Sequence, residues 1–278
     1  MNQSAPVTVT RLQEMKRRGE KIVMLTAYDY LLARLLEEAG VDLLLVGDSL
    51  GMVFQGQETT IPVTLEQMIY HTRIVARAAR RAMVIADMPF LSYQTSPEEA
   101  IRSAGRLVKE GRAQAVKMEG GREIATTVAR VVEIGIPVMG HIGFKPQSRY
   151  QYGNHIVQGR DETGAAELQD DLKAIEQAGV FSIVLEAITS PVAEELTRQA
   201  QCPTIGIGAG PGCDGQVLVT ADLLGMFTEF KPRFVKRYAE LARTAASALE
   251  AFVGDVKSGQ FPDLEHSYPA KPPSKDKR

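Results

Sequence analysis

The chain has 278 residues, long for an ordinary domain and close to the roughly 250 that an α/β barrel needs. Its 44% hydrophobic and 24% charged content suits a folded protein with a sizeable core and excludes a disordered or fibrous chain. With 32 basic side chains against 34 acidic ones it lacks the positive field that nucleic acid or an anionic membrane would attract, so neither is expected as a partner.

At the start, Met1–Gln13 lacks the charged-then-apolar order of a signal peptide. No later apolar run approaches the roughly 20 residues of a membrane span, and a cytoplasmic location is expected. Short apolar runs then alternate with longer amphipathic stretches, the pattern of parallel strands each followed by a helix. The strands are read at Ile22–Leu25, Leu43–Val46, Met83–Ala86, Ala115–Met118, Pro137–Gly140, Ser182–Leu185 and Thr204–Ile207, with Gln216–Val219 a weak eighth. Helices are read at Tyr30–Ala39, Leu65–Arg81, Pro97–Glu110, Glu123–Ile134, Ala165–Ala178 and Pro191–Gln199. Ser96-Pro97-Glu98-Glu99 is a strong start signal, with a capping serine, proline in the first turn and acids at the positive helix end.

So many strand-helix units, with no Gly-x-Gly-x-x-Gly after the first strand, favour a closed (β/α)8 TIM barrel over an open doubly wound sheet. Phe144–Thr163 is long, polar and aromatic-bearing (Tyr150, Tyr152, His155), as expected of a functional loop or lid. Phe230–Phe252 reads as a closing helix. Residues 1–268 are expected to form one catalytic barrel domain, and the Pro-, Lys- and Ser-rich tail, residues 269–278, to be disordered. Cys202 and Cys213, with no paired spacing, read as buried or incidental thiols.

In a barrel the C-terminal strand ends line the active site, so polar residues there are functional candidates. The second strand ends in Gly47-Asp48-Ser49 and the third in Asp87; the fourth holds Lys117 and ends in Glu119; the fifth ends in His141 and the sixth in Glu186. One such residue could be an ordinary turn-forming cap. Five strand ends together point to a site. Carboxylates meeting at one mouth repel unless a cation or proton separates them, and oxygen ligands suit magnesium better than zinc. The histidines, His71, His141, His155 and His266, show no zinc-like spacing, and His71 reads as a helix-surface or packing residue.

Lys117 and Glu119 are two apart and share the interior face, as a structural ion pair or as a site for an anionic substrate. Glu186, on a separate strand after Ile183–Leu185, could have a raised pKa and serve as a general base. His141 could donate to a substrate oxygen or to a ligating carboxylate. Gly206–Gly212 is a ligand-contact candidate of low specificity, equally explained by close backbone packing.

Several segments resemble the ketopantoate hydroxymethyltransferase family: Met24–Asp29, Val46–Met52, Pro62–Thr64, Met68–Thr72, Ala86–Phe90, Val116–Gly121, Gly140–Gly143, Cys213–Val219 and Phe234–Tyr238. The resemblance implies a barrel of the phosphoenolpyruvate/pyruvate-binding type. It also implies one Mg2+ per subunit and transfer of a hydroxymethyl group from 5,10-methylenetetrahydrofolate to the keto acid 3-methyl-2-oxobutanoate, the first step toward pantothenate and coenzyme A. By the same resemblance Asp48, Asp87 and Glu119 hold the metal and Glu186 is the proton acceptor. Ser49 and Lys117 contact the oxo acid, with Asp48, Asp87 and His141 beside them, and the subunits form a homodecamer of two pentameric rings. Phe144-Lys145, Ala221 and Phe54–Glu58 depart from the family pattern and bear on loop contacts and folate affinity, not on the metal or catalytic positions. A carbon-carbon lyase or mutase of the isocitrate lyase or phosphonopyruvate mutase type is the nearest alternative, although the reactive cysteine loop of those enzymes is missing. A non-catalytic metabolite-sensing barrel is a rival of another class.

Overall fold

The computed structural model describes residues 5–152, 157–228 and 232–269. Eight parallel strands close in sequence order: β1 (Ile22–Thr26), β2 (Leu43–Val46), β3 (Met83–Asp87), β4 (Ala115–Glu119), β5 (Val138–Gly143), β6 (Ser182–Glu186), β7 (Thr204–Ile207) and β8 (Gly215–Leu218). The weak eighth strand is real and makes the closure, pairing Ile22 with Gly215 through Leu25 with Leu218.

The helices are α1 (Val9–Arg18), α2 (Tyr30–Glu38), α3 (Leu50–Val53), α4 (Leu65–Ala78), α5 (Pro97–Lys109), α6 (Ala125–Glu133), α7 (Arg149–Tyr152), α8 (Glu162–Gln177), α9 (Ser190–Gln199), α10 (Thr220–Leu223) and α11 (Leu241–Ser258). Among the described residues none is long and apolar enough to cross a membrane.

Strand alternation divides the core in two. Met24, Leu43, Leu45, Met83, Ile85, Ala115, Met139, Val184, Ile205 and Val217 fill the barrel interior, while Leu44, Val46, Val84, Ala86, Val116, Met118, Val138, Ile142, Ile183 and Leu185 pack outward against the helices. The period of two then fixes what lies at the top of the inner face. Asp87 follows Met83 and Ile85; Lys117 and Glu119 follow Ala115; His141 follows Met139; Glu186 follows Val184. The opposite pole is closed by α1, whose Leu12 and Met15 join the interior cluster with Val7. Thr8 caps this helix by accepting from Arg11 N, and Gly19 ends it in the left-handed conformation.

Several boundaries differ from expectation; α4 ends at Ala78 rather than Arg81, and the closing helix ends at Ser258 rather than Phe252. β5 runs on to Gly143, so His141 lies within the strand rather than after it. α8 starts at Glu162, three residues early, because Asp161 caps it by accepting from Gly164 N at 2.8 Å. The closing helix begins at Leu241, not at Phe230, which lies outside the described residues. Tyr238, just before α11, donates its backbone N–H to the Leu223 carbonyl, and the first-turn N–H groups of Leu241 and Ala242 donate to the carbonyls of Leu224 and Gly225, so the start of α11 is tied to the segment that ends α10.

The expected lid is anchored. Pro146–Ser148 forms a 3-10 turn that runs into α7, with Gln147 buried and Tyr150 exposed. His155 and residues 270–278 of the tail lie outside the described residues.

Candidate active site

At the C-terminal ends of the strands opens a cavity of about 350 Å³. Asp48, Ser49, Asp87, Lys117, Glu119, His141 and Glu186 all line it. Parity brings Asp87, Lys117, Glu119, His141 and Glu186 there from β3 to β6, and the turn after β2 adds Asp48 and Ser49. At Gly47 a Cβ would stand 2.8 Å from Ser49 Oγ and 3.4 Å from Asp87 Oδ2, so a side chain there would crowd the mouth directly after β2. Gly143, at φ +99°, lies under β6, where a Cβ would be 2.3 Å from the Glu186 carbonyl. That carbonyl accepts from Phe144 N at 2.8 Å.

Lys117 Nζ is the hub. It stands 2.9 Å from Asp87 Oδ1 and 3.2 Å from His141 Nδ1. Burial alone would strip its charge, but the attraction of Asp87, Asp48 and Glu119 outweighs it and raises its pKa, so the ammonium persists. Asp87 Oδ1 meets Lys117 at ion-pair distance without hydrogen-bond direction, and its Oδ2 accepts from Asp48 N at 3.0 Å. Ser49 Oγ lies 2.8 Å from Tyr28 OH, a phenol kept neutral by burial.

An ammonium only donates, so His141 Nδ1 accepts from Lys117 and the ring proton resides on Nε2. Burial, then the Lys117 charge, holds the His141 pKa well below its ordinary value. The contact of Nε2 with Glu186 Oε2, 3.0 Å and off the line of a well-directed hydrogen bond, is therefore between a neutral imidazole and a carboxylate rather than an ion pair. Glu186 is not remote from the other carboxylates, as its separate strand suggests. It is linked to Lys117 through one ring.

Asp48, Asp87, Glu119 and Glu186 face a single buried lysine. Burial and then the Asp87 charge push Asp48 up to about 7. Burial and the Asp48 charge lift Glu119 well above the carboxylate range. Such a site favours added positive charge, and its hard oxygen donors fit a divalent cation of the magnesium type. The three carboxylates expected to hold a metal, Asp48, Asp87 and Glu119, line one cavity. Among the described residues no group of three or more His, Cys, Asp or Glu is drawn together as a metal nest. Other partners hold each acid: Asp87 pairs with the Lys117 charge and accepts from Asp48 N, while Gln147 donates to Asp48 through its amide and to Glu119 through its backbone N–H.

Sequence reasoning missed Gln147, Tyr93 and Tyr28, for which periodicity gives no signal. His71 is a packing residue, buried with Nδ1 2.7 Å from the Tyr28 carbonyl. The glycines of 206–212 do not line the cavity; those at 210 and 212 press against Ser190 and Glu194, so close packing accounts for them. Both cysteines are buried thiols outside the cavity lining.

The fold defines a class, the closed parallel (β/α)8 barrels with a polar mouth at the C-terminal strand ends. The chain superposes on 2,3-dimethylmalate lyase, a PEP mutase/isocitrate lyase superfamily member, with a TM-score of 0.60 at 20% identity, covering 93% of this chain and 91% of the other. It superposes on phosphonopyruvate hydrolase in complex with oxalate and Mg++ with a TM-score of 0.62 at 14% identity, covering 94% and 91%. At these identities the likeness is one of fold. Residues 6–264 match the ketopantoate hydroxymethyltransferase family, and the chain belongs to it. It is 55% identical over 271 residues to the 3-methyl-2-oxobutanoate hydroxymethyltransferase of Chlorobaculum tepidum, covering 96% of this chain and 98% of the relative. Its identity to the Syntrophus aciditrophicus enzyme of the same name is 54% over 262 residues, covering 94% and 96%. The protein is therefore an enzyme, a transferase, and not a metabolite-sensing barrel.

Proposed function

We propose that this enzyme transfers a hydroxymethyl group from 5,10-methylenetetrahydrofolate to 3-methyl-2-oxobutanoate, giving 2-dehydropantoate in the first step of pantothenate and coenzyme A biosynthesis. The names of its relatives support the reaction. The observation that carries the chemistry is a surplus of carboxylates around one lysine, beside a neutral histidine that touches a further carboxylate.

The oxo acid has one hydrogen on C3, next to the ketone, and its removal is the difficult step. A magnesium ion held by Asp48, Asp87 and Glu119 would supply a Lewis acid that draws electron density from the ketone. Lys117 offers a fixed positive charge to the substrate oxygens where negative charge grows, in a site where burial strengthens it. Ser49, backed by Tyr28, donates to the substrate carboxylate. Glu186 takes the C3 proton, a step worth about 10² to 10⁴ in rate. His141, fixed by Lys117 at Nδ1, presents its Nε2–H toward Glu186 and holds that carboxylate in place. The C3 carbanion equivalent then bonds to the folate-borne methylene carbon. Of that carbon's two bonds to folate nitrogen, one has opened to make it electrophilic and the other is replaced by a hydroxyl from water. The two nitrogens take up the C3 proton and the remaining water proton to leave tetrahydrofolate.

A homodecamer and a cytoplasmic location belong to the same reading. α11, eighteen residues with none buried and with Leu249, Phe252 and Val256 turned outward, supports burial against other subunits. Incubation of the purified enzyme with both substrates and Mg2+ should yield 2-dehydropantoate and tetrahydrofolate in equal amounts. Failure to form either overturns the assignment.

A further inference from the structure

Gln147 bridges two of the cavity's carboxylates from behind the lining, although it belongs to the turn after β5. Its side chain is only 6% exposed. The amide Nε2 donates to Asp48 Oδ2 at 2.9 Å and to the Met88 carbonyl at 3.0 Å. Its backbone N–H donates to Glu119 Oε1 at 2.8 Å. One residue thus grips two of the three proposed cation-holding carboxylates, which arrive from β2 and β4.

The orientation of the amide is fixed by its surroundings. Asp48 and Met88 present only acceptors, so the NH2 must face them. On the other side Oε1 lies 2.9 Å from both Tyr93 OH and Gln94 Nε2. The Tyr93 hydroxyl also reaches the Glu119 carbonyl at 2.9 Å and accepts from Glu119 N at 3.2 Å, so its single proton serves two acceptors while Gln94 keeps Oε1 satisfied. Reversing the amide would set Oε1 against a carboxylate and a carbonyl, and Nε2 against a donor.

We infer that Gln147 is a positioning residue that holds Asp48 and Glu119 in register for a divalent cation and ties the turn at Pro146–Ser148 to that cation's binding. An amide suits the task. It donates to the Asp48 carboxylate and the Met88 carbonyl without net charge while the backbone N–H serves Glu119, whereas a lysine would compete with the cation and a glutamate would add repulsion. Gln147 engages one oxygen of each acid, Oδ2 of Asp48 and Oε1 of Glu119, and leaves the other oxygen of each unbonded to it. The turn is fastened at a second point, where Arg149 Nη1 donates to the Glu58 carbonyl at 3.0 Å. Ordering of the turn and cation binding should therefore favour one another.

This inference rests on the reading that Asp48 and Glu119 hold the ion. Its test is Mn2+ binding to the keto-acid-free enzyme, followed by the free-ion electron paramagnetic resonance signal. Gln147→Leu, of similar volume, should weaken Mn2+ affinity about 10- to 100-fold. Its kcat at saturating Mn2+ should recover more fully than its activity at low Mn2+. Tyr93→Phe, which removes only the hydroxyl that orients the amide, should weaken affinity in the same direction by less. If folded Gln147→Leu binds Mn2+ within about twofold of wild type, the inference is overturned. If that variant does not fold, an unchanged affinity in Tyr93→Phe overturns it and a weakened one supports it. Absence of Mn2+ binding in wild type would instead remove the cation reading itself, and this inference with it.

Discussion

The two poles of the barrel interior are built by the same strands and differ in almost everything else. At the base, Met24, Leu43, Met83, Ala115 and Met139 pack against Leu12 and Met15 of α1. At the mouth the same inward positions carry Asp87, Lys117, Glu119, His141 and Glu186. Burying acids with a single lysine costs stability, since each charge loses hydration that its neighbours only partly restore. The apolar base offsets that cost, so the mouth can keep groups whose protonation is shifted toward chemistry rather than toward rest.

That contrast can be broken from either side. The largest effect on stability is expected at the mouth. Asp87→Ala leaves Lys117 buried without its nearest partner and should cost about 3–5 kcal/mol, seen in denaturant unfolding, together with weaker Mg2+ binding by calorimetry; unchanged Mg2+ affinity would refute Asp87 as a ligand. At the base, Leu43→Ala should cost about 3 kcal/mol through the cavity it leaves. Activity per folded molecule should stay at the wild-type level, because the residue lies away from the reacting groups.

A pH series separates the poles more finely. Asp48 is raised to about 7, so its folded form holds a proton that the unfolded chain has already released. Its ionisation therefore penalises the folded state progressively as pH rises from about 4 through about 7, by about 4 kcal/mol over the whole range. His141, lowered by burial, contributes with the opposite sign up to its unfolded pKa of about 6.5, so the comparison must be a difference. In chelator-treated protein, the melting temperature of Asp48→Asn should gain on wild type between pH 6 and pH 8. A pH-independent gap would mean that Asp48 titrates normally. The smallest change is at the base, where Thr8→Ala removes the α1 cap and should cost about 1 kcal/mol without altering Mg2+ affinity.

How much of this was legible depended on periodicity. Alternation along β3, β4 and β6 places Asp87, Lys117, Glu119 and Glu186 inside before any coordinates exist, and Lys117 and Glu119 do share a face. His141 was readable as polar at a strand top, but Gly140 and Gly143 blurred where β5 ends. α1 had its signals in Thr8, the basic last turn and Gly19, and went unread beside the search for a leader segment. The start of α11 was hidden because its first-turn N–H groups, with that of Tyr238, are taken up by the carbonyls of Leu223–Gly225, a tertiary choice that local sequence does not encode. Gln147 was illegible for a different reason. A neutral amide in a turn has neither period nor charge, and only the folded chain brings it between Asp48 and Glu119.

The most direct test of the mouth as a site for ionising an oxo acid is exchange of the C3 hydrogen of 3-methyl-2-oxobutanoate with deuterated water, followed by proton nuclear magnetic resonance without folate. Wild type with Mg2+ should exchange rapidly, and folded, substrate-binding Glu186→Gln should be about 10² to 10⁴ slower. Exchange by Glu186→Gln at the wild-type rate would contradict the assignment of Glu186 as the base.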